Sequence, residues 1–234
     1  MIEVKNVTKS FGRRKVLDDI SFSVDKNNLT TIVGPNGIGK TTILNIICGL
    51  LLPDQGEVNY VDCDMKRDLF AVLSGDKNLY HKNTVEENVY FVAALRNIEK
   101  KQTRKNIEER EKNFPLYSEV KHKLFEQLSF GQKRLMTIFA ALVSEAQILT
   151  MDEPTEGLDL AHKKELTDLM LSLKKTKTLL LISHDSKFVS DISDRILFLN
   201  DGKIVQEEQK LTEEQFLEIY GKIYGRGNEN EDHI

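Results

Sequence analysis

The sequence predicts an α/β fold with an antiparallel β layer near the start and a helical insert in the middle. Three observations predict it. Short, dense apolar runs at 29–33, 69–73, 148–151, 178–182 and 196–199 suit strands buried on both faces of a mainly parallel sheet. Helical patterns at 41–50, 135–143 and 160–173 fall between several of them, the alternation of an α/β domain. A glycine-rich loop joins the run at 29–33 to the helical pattern at 41–50.

In chain order, Ile2, Val4 and Val7 open an apolar pattern. Ile20, Phe22 and Val24 alternate with Ser21, Ser23 and Asp25, as a half-buried strand does. A further strand at 57–61 is entered through the turn Pro53-Asp54-Gln55-Gly56. These segments form the expected antiparallel layer. Between Thr84 and Gln127 no strong strand pattern occurs, and Val85, Val89, Val92 and Leu95 carry helical spacing. Residues 96–113 are dense in Lys, Arg and Glu; the mixed signs read as a solvated helical face rather than a nucleic-acid surface. The expected organisation is one domain over 1–224, with its insert at about 76–144, and a polar, disordered tail at 225–234.

Bulk properties narrow the function. The 234 residues carry a net charge of −4, too mild to make nucleic acid a default partner. Cys48 and Cys63 form no CxxC pair, which fits a reduced cytosolic compartment and gives no metal signature. No signal sequence and no run of ~18 apolar residues is visible, so the chain is expected not to cross a membrane itself.

Gly34-Pro-Asn-Gly-Ile-Gly-Lys-Thr41 matches G-x-x-x-x-G-K-[ST] in a strand–loop–helix context. Glycines allow successive backbone N–H groups to face phosphate oxygens, and the helix N-terminus adds positive potential. Lys40 can reach β and γ phosphates, and the Thr41 hydroxyl can ligate magnesium. Residues 148–152 run apolar into Asp152 and Glu153. At a strand end near a phosphate loop, Asp152 suits magnesium, and Glu153 can align and deprotonate a water.

The segment Leu128-Ser-Phe-Gly-Gln132 closely resembles the LSGGQ signature of ABC ATPases, departing only at Phe130. Other marks follow in family order: Glu156-Gly157-Leu158-Asp159 resembles the D-loop, and Ser183-His184-Asp185 the switch-histidine segment. Phe11 stands where the family places an aromatic that stacks on adenine. The resemblance covers roughly residues 2–205 and implies a P-loop NTPase core of the ABC type, with an antiparallel β subdomain and an inserted helical subdomain. It implies an ATPase that uses ATP and Mg. Glu153 and His184 would be catalytic, with Thr41 and Asp152 at the metal. Phe11, Gly34, Asn36, Gly37, Gly39, Lys40, Thr41 and Thr42 would bind one nucleotide in cis, while Ser129, Gly131 and Gln132 contact it from a second, identical subunit. A separate integral membrane permease is the implied partner, with the chain peripheral on the inner face of the cell membrane. Gly75 stands where the family usually has a glutamine that senses the permease, a variant similar to some antibiotic and lantibiotic export subunits. His81, His122, His162 and His233 lack a motif context and read as structural. The competing expectation is a soluble ABC ATPase without a transport role. The intact Glu153 and His184 argue against a purely regulatory nucleotide binder.

Overall fold

Strands β1 (Ile2–Phe11), β2 (Arg14–Val24) and β4 (Gln55–Tyr60) form an antiparallel sheet in the order β2-β1-β4. The computed structural model describes residues 1–73 and 78–225. In β1 and β2 the apolar residues break simple alternation: Val4 and Val7, like Leu17 and Ile20, are three apart yet all buried. Register shifts between Val4 and Val7, and positive φ at Asn6 (50°) and Asp19 (56°), return both sets to one face. The Asn6 amide donates to Asp19 Oδ1 at 2.8 Å and ties the irregular positions together.

The second sheet contains β3 (Leu29–Val33), β5 (Leu69–Val72), β6 (Ile148–Asp152), β7 (Thr178–Ile182), β8 (Arg195–Asn200) and β9 (Lys203–Gln209). Its order is β5-β6-β7-β3-β8-β9, parallel except for the antiparallel β8–β9 pair. Every residue of β3, β6 and β7 is buried. Alternate side chains feed two cores. Leu29, Leu149, Met151, Leu179 and Leu181 face one, whereas Ile32, Ile148, Leu180 and Ile182 face the other. The run at 69–73 forms β5 and meets a core on each face, Leu69 and Ala71 on one and Phe70 and Val72 on the other. It is the edge strand of the sheet among the described residues, and Phe70 and Ala71 are half-buried there.

Helix α1 (Lys40–Ile47) lies between the parallel sheet and the antiparallel layer; Ile43, Leu44, Ile46 and Ile47 fill that core. Each such burial contributes roughly 1.5–3 kcal/mol. The helix stops short of residue 50, with Cys48 as its cap and Gly49 at φ 68°. Helix α2 (Met65–Asp68) leads into β5. The other core packs under α3 (Val85–Leu95), α4 (Lys100–Glu111), α5 (Pro115–Val120) and α6 (Phe130–Val143), with α7 (Leu160–Leu173) beside them. Thr84 and Glu87 form a capping box on α3. On α4 only Thr103, Asn106 and Ile107 are buried, and its exposed charges pair as Arg104–Glu108 and Lys105–Glu109. Helix α6 begins five residues before its expected start because Ser129 and Gln132 cap it at the signature segment. Helices α8 (Ser186–Ile192) and α9 (Glu213–Tyr224) close the described chain.

Candidate nucleotide site

Strand order builds the site. β6, β7 and β3 are adjacent and parallel, so their carboxyl ends open onto one crevice. The phosphate loop leaves β3, Asp152 and Glu153 leave β6, and His184 follows β7. At its entry Gly34 has φ 156°, and a Cβ there would lie 2.7 Å from Leu199 O. At its exit Gly39, φ 116°, starts α1 without any side-chain cap, so the first N–H groups of the helix are not taken up by a capping side chain.

Lys40 is buried at 6% exposure. Its Nζ donates to Gly34 O at 2.7 Å and Pro35 O at 3.0 Å, and stands 3.9 Å from Glu153 Oε1. Burial pushes its pKa below the ordinary lysine value, with Glu153 and Asp152 opposing the shift. Thr41 Oγ1 donates to Asp152 Oδ2 at 3.0 Å. Burial raises the Asp152 carboxyl, while the Thr41 bond and the charge of Lys40 pull it down.

Glu153 has φ 45°, and its N–H donates to Ile182 O at 2.9 Å. This turn aims the side chain across the ends of β6 and β7. Oε2 accepts the His184 N–H at 3.3 Å, and Oε1 lies 2.9 Å from His184 Nδ1. Oε1 is buried and, among the described residues, has no hydrogen bond of good geometry. An acceptor in that condition suits a water or a ligand-bound group. The cleft holds about 370 Å³ and takes in Phe11, Asn36, Gly37, Gly39, Lys40, Thr41 and Thr42 on one side, with Asp152, Glu153 and His184 on the other. Phe11 ends β1 with 51% exposure, so it is a surface aromatic at the cleft mouth rather than a core residue. The uncapped amides, the buried lysine and the Thr41–Asp152 pair together fit a nucleotide triphosphate with a divalent cation.

Ser129, Gly131 and Gln132 do not line this cleft. They form the N-terminus of α6, where Ser129 Oγ accepts the Gln132 N–H at 3.3 Å and Gln132 Oε1 accepts the Ser129 N–H at 3.1 Å. Segment 156–162 supports them. A Cβ on Gly131 would meet the His162 ring at 2.9 Å, and one on Gly157 would meet the Phe130 ring at 3.2 Å. The bare Gly157 thus makes room for Phe130. His162 is tied to Asp159, whose Oδ1 accepts its N–H at 2.9 Å.

Residues 17–156 match the ABC transporter family. The chain belongs to that family. It is 34% identical to the spermidine/putrescine import ATP-binding protein PotA of Clostridium acetobutylicum, covering 88% of this chain and 60% of that protein. It is 33% identical to the L-cystine import ATP-binding protein TcyN of Bacillus subtilis, covering 92% and 88%. The chain spans 40–60% of the length of the first five curated relatives it matches. Among solved structures, an ATP-binding cassette in a dimeric post-hydrolysis state with ADP and Pi superposes with a TM-score of 0.79 at 28% identity, covering 90% of this chain and 99% of that one.

Within this ABC protein, the expected glutamine position, Gly75, lies outside the described residues, as do 226–234 with His233. Sequence reading missed Arg14 and Val16, which also line the cleft. Arg14 donates to Gly37 O at 3.3 Å and links the β1–β2 turn to the phosphate loop. The signal available for it was its place three residues after Phe11, across the tight turn at Gly12.

Proposed function

We propose that this chain is the ATP-binding and ATP-hydrolysing motor subunit of an ABC transporter, working as an ATP-sandwich dimer beneath a separate membrane permease. The observation that carries the reading is the placement of Glu153. Its unsatisfied Oε1 lies beside His184 and Lys40, across the crevice from the uncapped start of α1.

The residue roles follow from chemistry. Loop amides and Lys40 bind the β and γ phosphates. For Lys40 this means exchanging Gly34 O and Pro35 O for phosphate oxygens. Thr41 and Asp152 would hold magnesium, which neutralises phosphate charge when bound. Glu153 accepts a proton from the attacking water, and His184 orients the carboxylate and the γ-phosphate. Phe11 stacks on the base. Ser129, Gly131 and Gln132, which do not line their own cleft, serve the nucleotide of a second copy. The motifs in the described residues come from a single domain, residues 1–224 with a helical insert at about 76–144. No helix among the described residues is long and apolar enough to cross a membrane, so attachment to the cytoplasmic face runs through the permease.

An export role of the antibiotic or lantibiotic kind rests on Gly75 alone. Loading cargo into membrane vesicles with the cognate permease tests its direction. The basic reading is tested by calorimetry with MgATP: Lys40→Ala should weaken binding about 10²-fold or more, since charge-assisted bonds to phosphate are lost. Unchanged affinity would refute the phosphate-loop assignment. Co-expression with the permease encoded next to it should move the protein into the membrane fraction. If it stays soluble with every neighbouring membrane protein, the soluble-ATPase reading takes over.

A further inference from the structure

Helix α9 lies outside residues 17–156 and outside every motif read from the sequence, yet its two ends bond residues that flank the nucleotide site, Val33 before the phosphate loop and Ser186 after His184. Phe216, Tyr220 and Tyr224 recur at helical spacing on one face. Phe216 is buried against Phe198 of β8, with ring centroids 5.9 Å apart. The rings then step along the helix, 5.8 Å from Phe216 to Tyr220 and 4.4 Å from Tyr220 to Tyr224. Burial first, and then the charge of Glu153, pushes the Tyr220 hydroxyl up.

The ladder ends under the phosphate loop. Tyr224 Oη lies 2.9 Å from Leu199 O and 3.3 Å from Val33 O. A Cβ on Gly34 would approach the same oxygen to 3.3 Å. The hydroxyl therefore sits where the chain leaves β3 and enters the loop. At the other end, Glu213 Oε1 accepts from Ser186 Oγ at 2.8 Å, two residues beyond His184.

Two groups hold the loop entry in this structure. Lys40 donates to Gly34 O and Pro35 O, and the single O–H of Tyr224 is shared between Leu199 O at 2.9 Å and Val33 O at 3.3 Å, bridging the ends of β8 and β3. Lys40 must give up its carbonyls to meet a phosphate. Tyr224 faces the back of the loop and has no such second duty.

We infer that Tyr224 is a positioning residue for the phosphate loop: its hydroxyl pins the loop entry while Lys40 is engaged by nucleotide phosphates. This rests on the ATP-binding reading above. A loop that cradles phosphates does so in both ground and transition states, so its looseness weakens binding uniformly. The Michaelis constant rises and kcat holds.

The test is Tyr224→Phe, which keeps the ring and its stack on Tyr220 and deletes the hydroxyl. Wild type and Leu217→Ala, an exposed position on the same helix, serve as comparisons. The readouts are MgADP affinity by calorimetry, kcat and KM for ATP, and the melting temperature without nucleotide. Tyr224→Phe should weaken MgADP binding and raise KM about 3- to 10-fold, the scale of one neutral hydrogen bond, with kcat within about twofold of wild type. Leu217→Ala should change none of these. A lower melting temperature with wild-type affinity and KM would make the hydroxyl purely structural and overturn the inference. A fall in kcat at unchanged KM would overturn it too. Wild type that binds MgADP beside an unaltered Tyr224→Phe retires this inference alone. Wild type that binds no MgADP retires the ATP reading and this inference with it.

Discussion

Glu153→Gln separates binding from turnover. The carboxylate is 13% exposed, with Oε1 2.9 Å from His184 Nδ1 and 3.9 Å from Lys40 Nζ. Glutamine keeps the size and an oxygen acceptor for the His184 N–H, which Oε2 now takes at 3.3 Å. It loses the base and the negative charge. The first loss falls on the reaction: a positioned base supplies about 10²–10⁴-fold, so kcat should drop by that factor, about 2.7–5.5 kcal/mol of barrier. The second falls on the resting protein. At 3.9 Å, two unit charges attract by about 4 kcal/mol at an effective dielectric of 20, before desolvation offsets most of it. That attraction competes with phosphate for Lys40. Removing it should leave MgATP affinity unchanged or tighter. Steady-state ATPase assays and calorimetry measure the two effects separately. Size-exclusion chromatography with ATP and magnesium adds a third readout: wild type should run mainly as monomer, the variant as a stalled dimer, and adding Ser129→Arg should abolish the shift. Wild-type turnover in Glu153→Gln would refute the base assignment. An affinity loss beyond about tenfold, 1.4 kcal/mol, would refute the competition for Lys40.

Asp152→Asn should stabilise the protein measured without nucleotide while weakening its magnesium-dependent binding. Burial raises the Asp152 carboxyl above its ordinary 3.8, so between 3.8 and the raised value the folded chain holds a proton that the unfolded chain has released. Stability from this group is therefore lost as pH rises through that window. Carboxylates held below their ordinary value, such as Asp54 and Asp68, give the opposite slope in both proteins, so the readout is the difference: the melting temperature of Asp152→Asn should gain on wild type as pH rises through the window and stay higher at neutral pH, by about 2–4 °C per kcal/mol relieved. Gly34→Ala would drive a Cβ to 2.7 Å from Leu199 O at φ 156°; urea unfolding should show a loss of about 2 kcal/mol or more, and near-wild-type stability would mean the loop entry relaxes freely. Phe11→Ala, at a position 51% exposed, should leave stability within about 0.5 kcal/mol but weaken MgATP binding by about 1–3 kcal/mol, the scale of base–aromatic stacking. Inorganic triphosphate should bind both proteins alike, and an equal loss for triphosphate would remove Phe11 from base recognition.

Much of the candidate site was legible because its chemistry is local. A loop whose backbone must turn and present N–H groups to an anion requires glycines at fixed offsets, and Gly34, Gly37 and Gly39 all have positive φ. Strands covered on both faces favour dense apolar runs, and β3, β6 and β7 show that density in the sequence itself, with Thr30, Thr31, Thr150, Asp152 and Thr178 as buried polar exceptions. The acids at 152–153 and the histidine at 184 could be placed because they end such runs. Local pattern did not tell centre from edge: the run that forms β5 looks like the others and meets both cores, yet it ends the strand order.

Long-range pairing decided the rest. β9 reads as Lys203-Ile-Val-Gln-Glu-Glu-Gln209, exposed and half-buried in turn, and it is a strand because β8 supplies its antiparallel partner. Residues 20–24 read as a strand at once, but the three-residue steps from Val4 to Val7 and from Leu17 to Ile20 fit the same face only once the register shifts are seen. Thr41 and Asp152 are 111 residues apart in the chain but share a hydrogen bond, because β7 alone separates β6 from β3. Tyr224 reaches Val33 across 191 residues for a similar reason: Phe216 seats α9 against β8, the strand next to β3. A sequence determines which side chains can bind phosphate, hold a metal or take a proton, since those are properties of single residues and short loops. Which of them meet is set by strand order, and strand order follows from the burial of whole faces rather than from any local pattern.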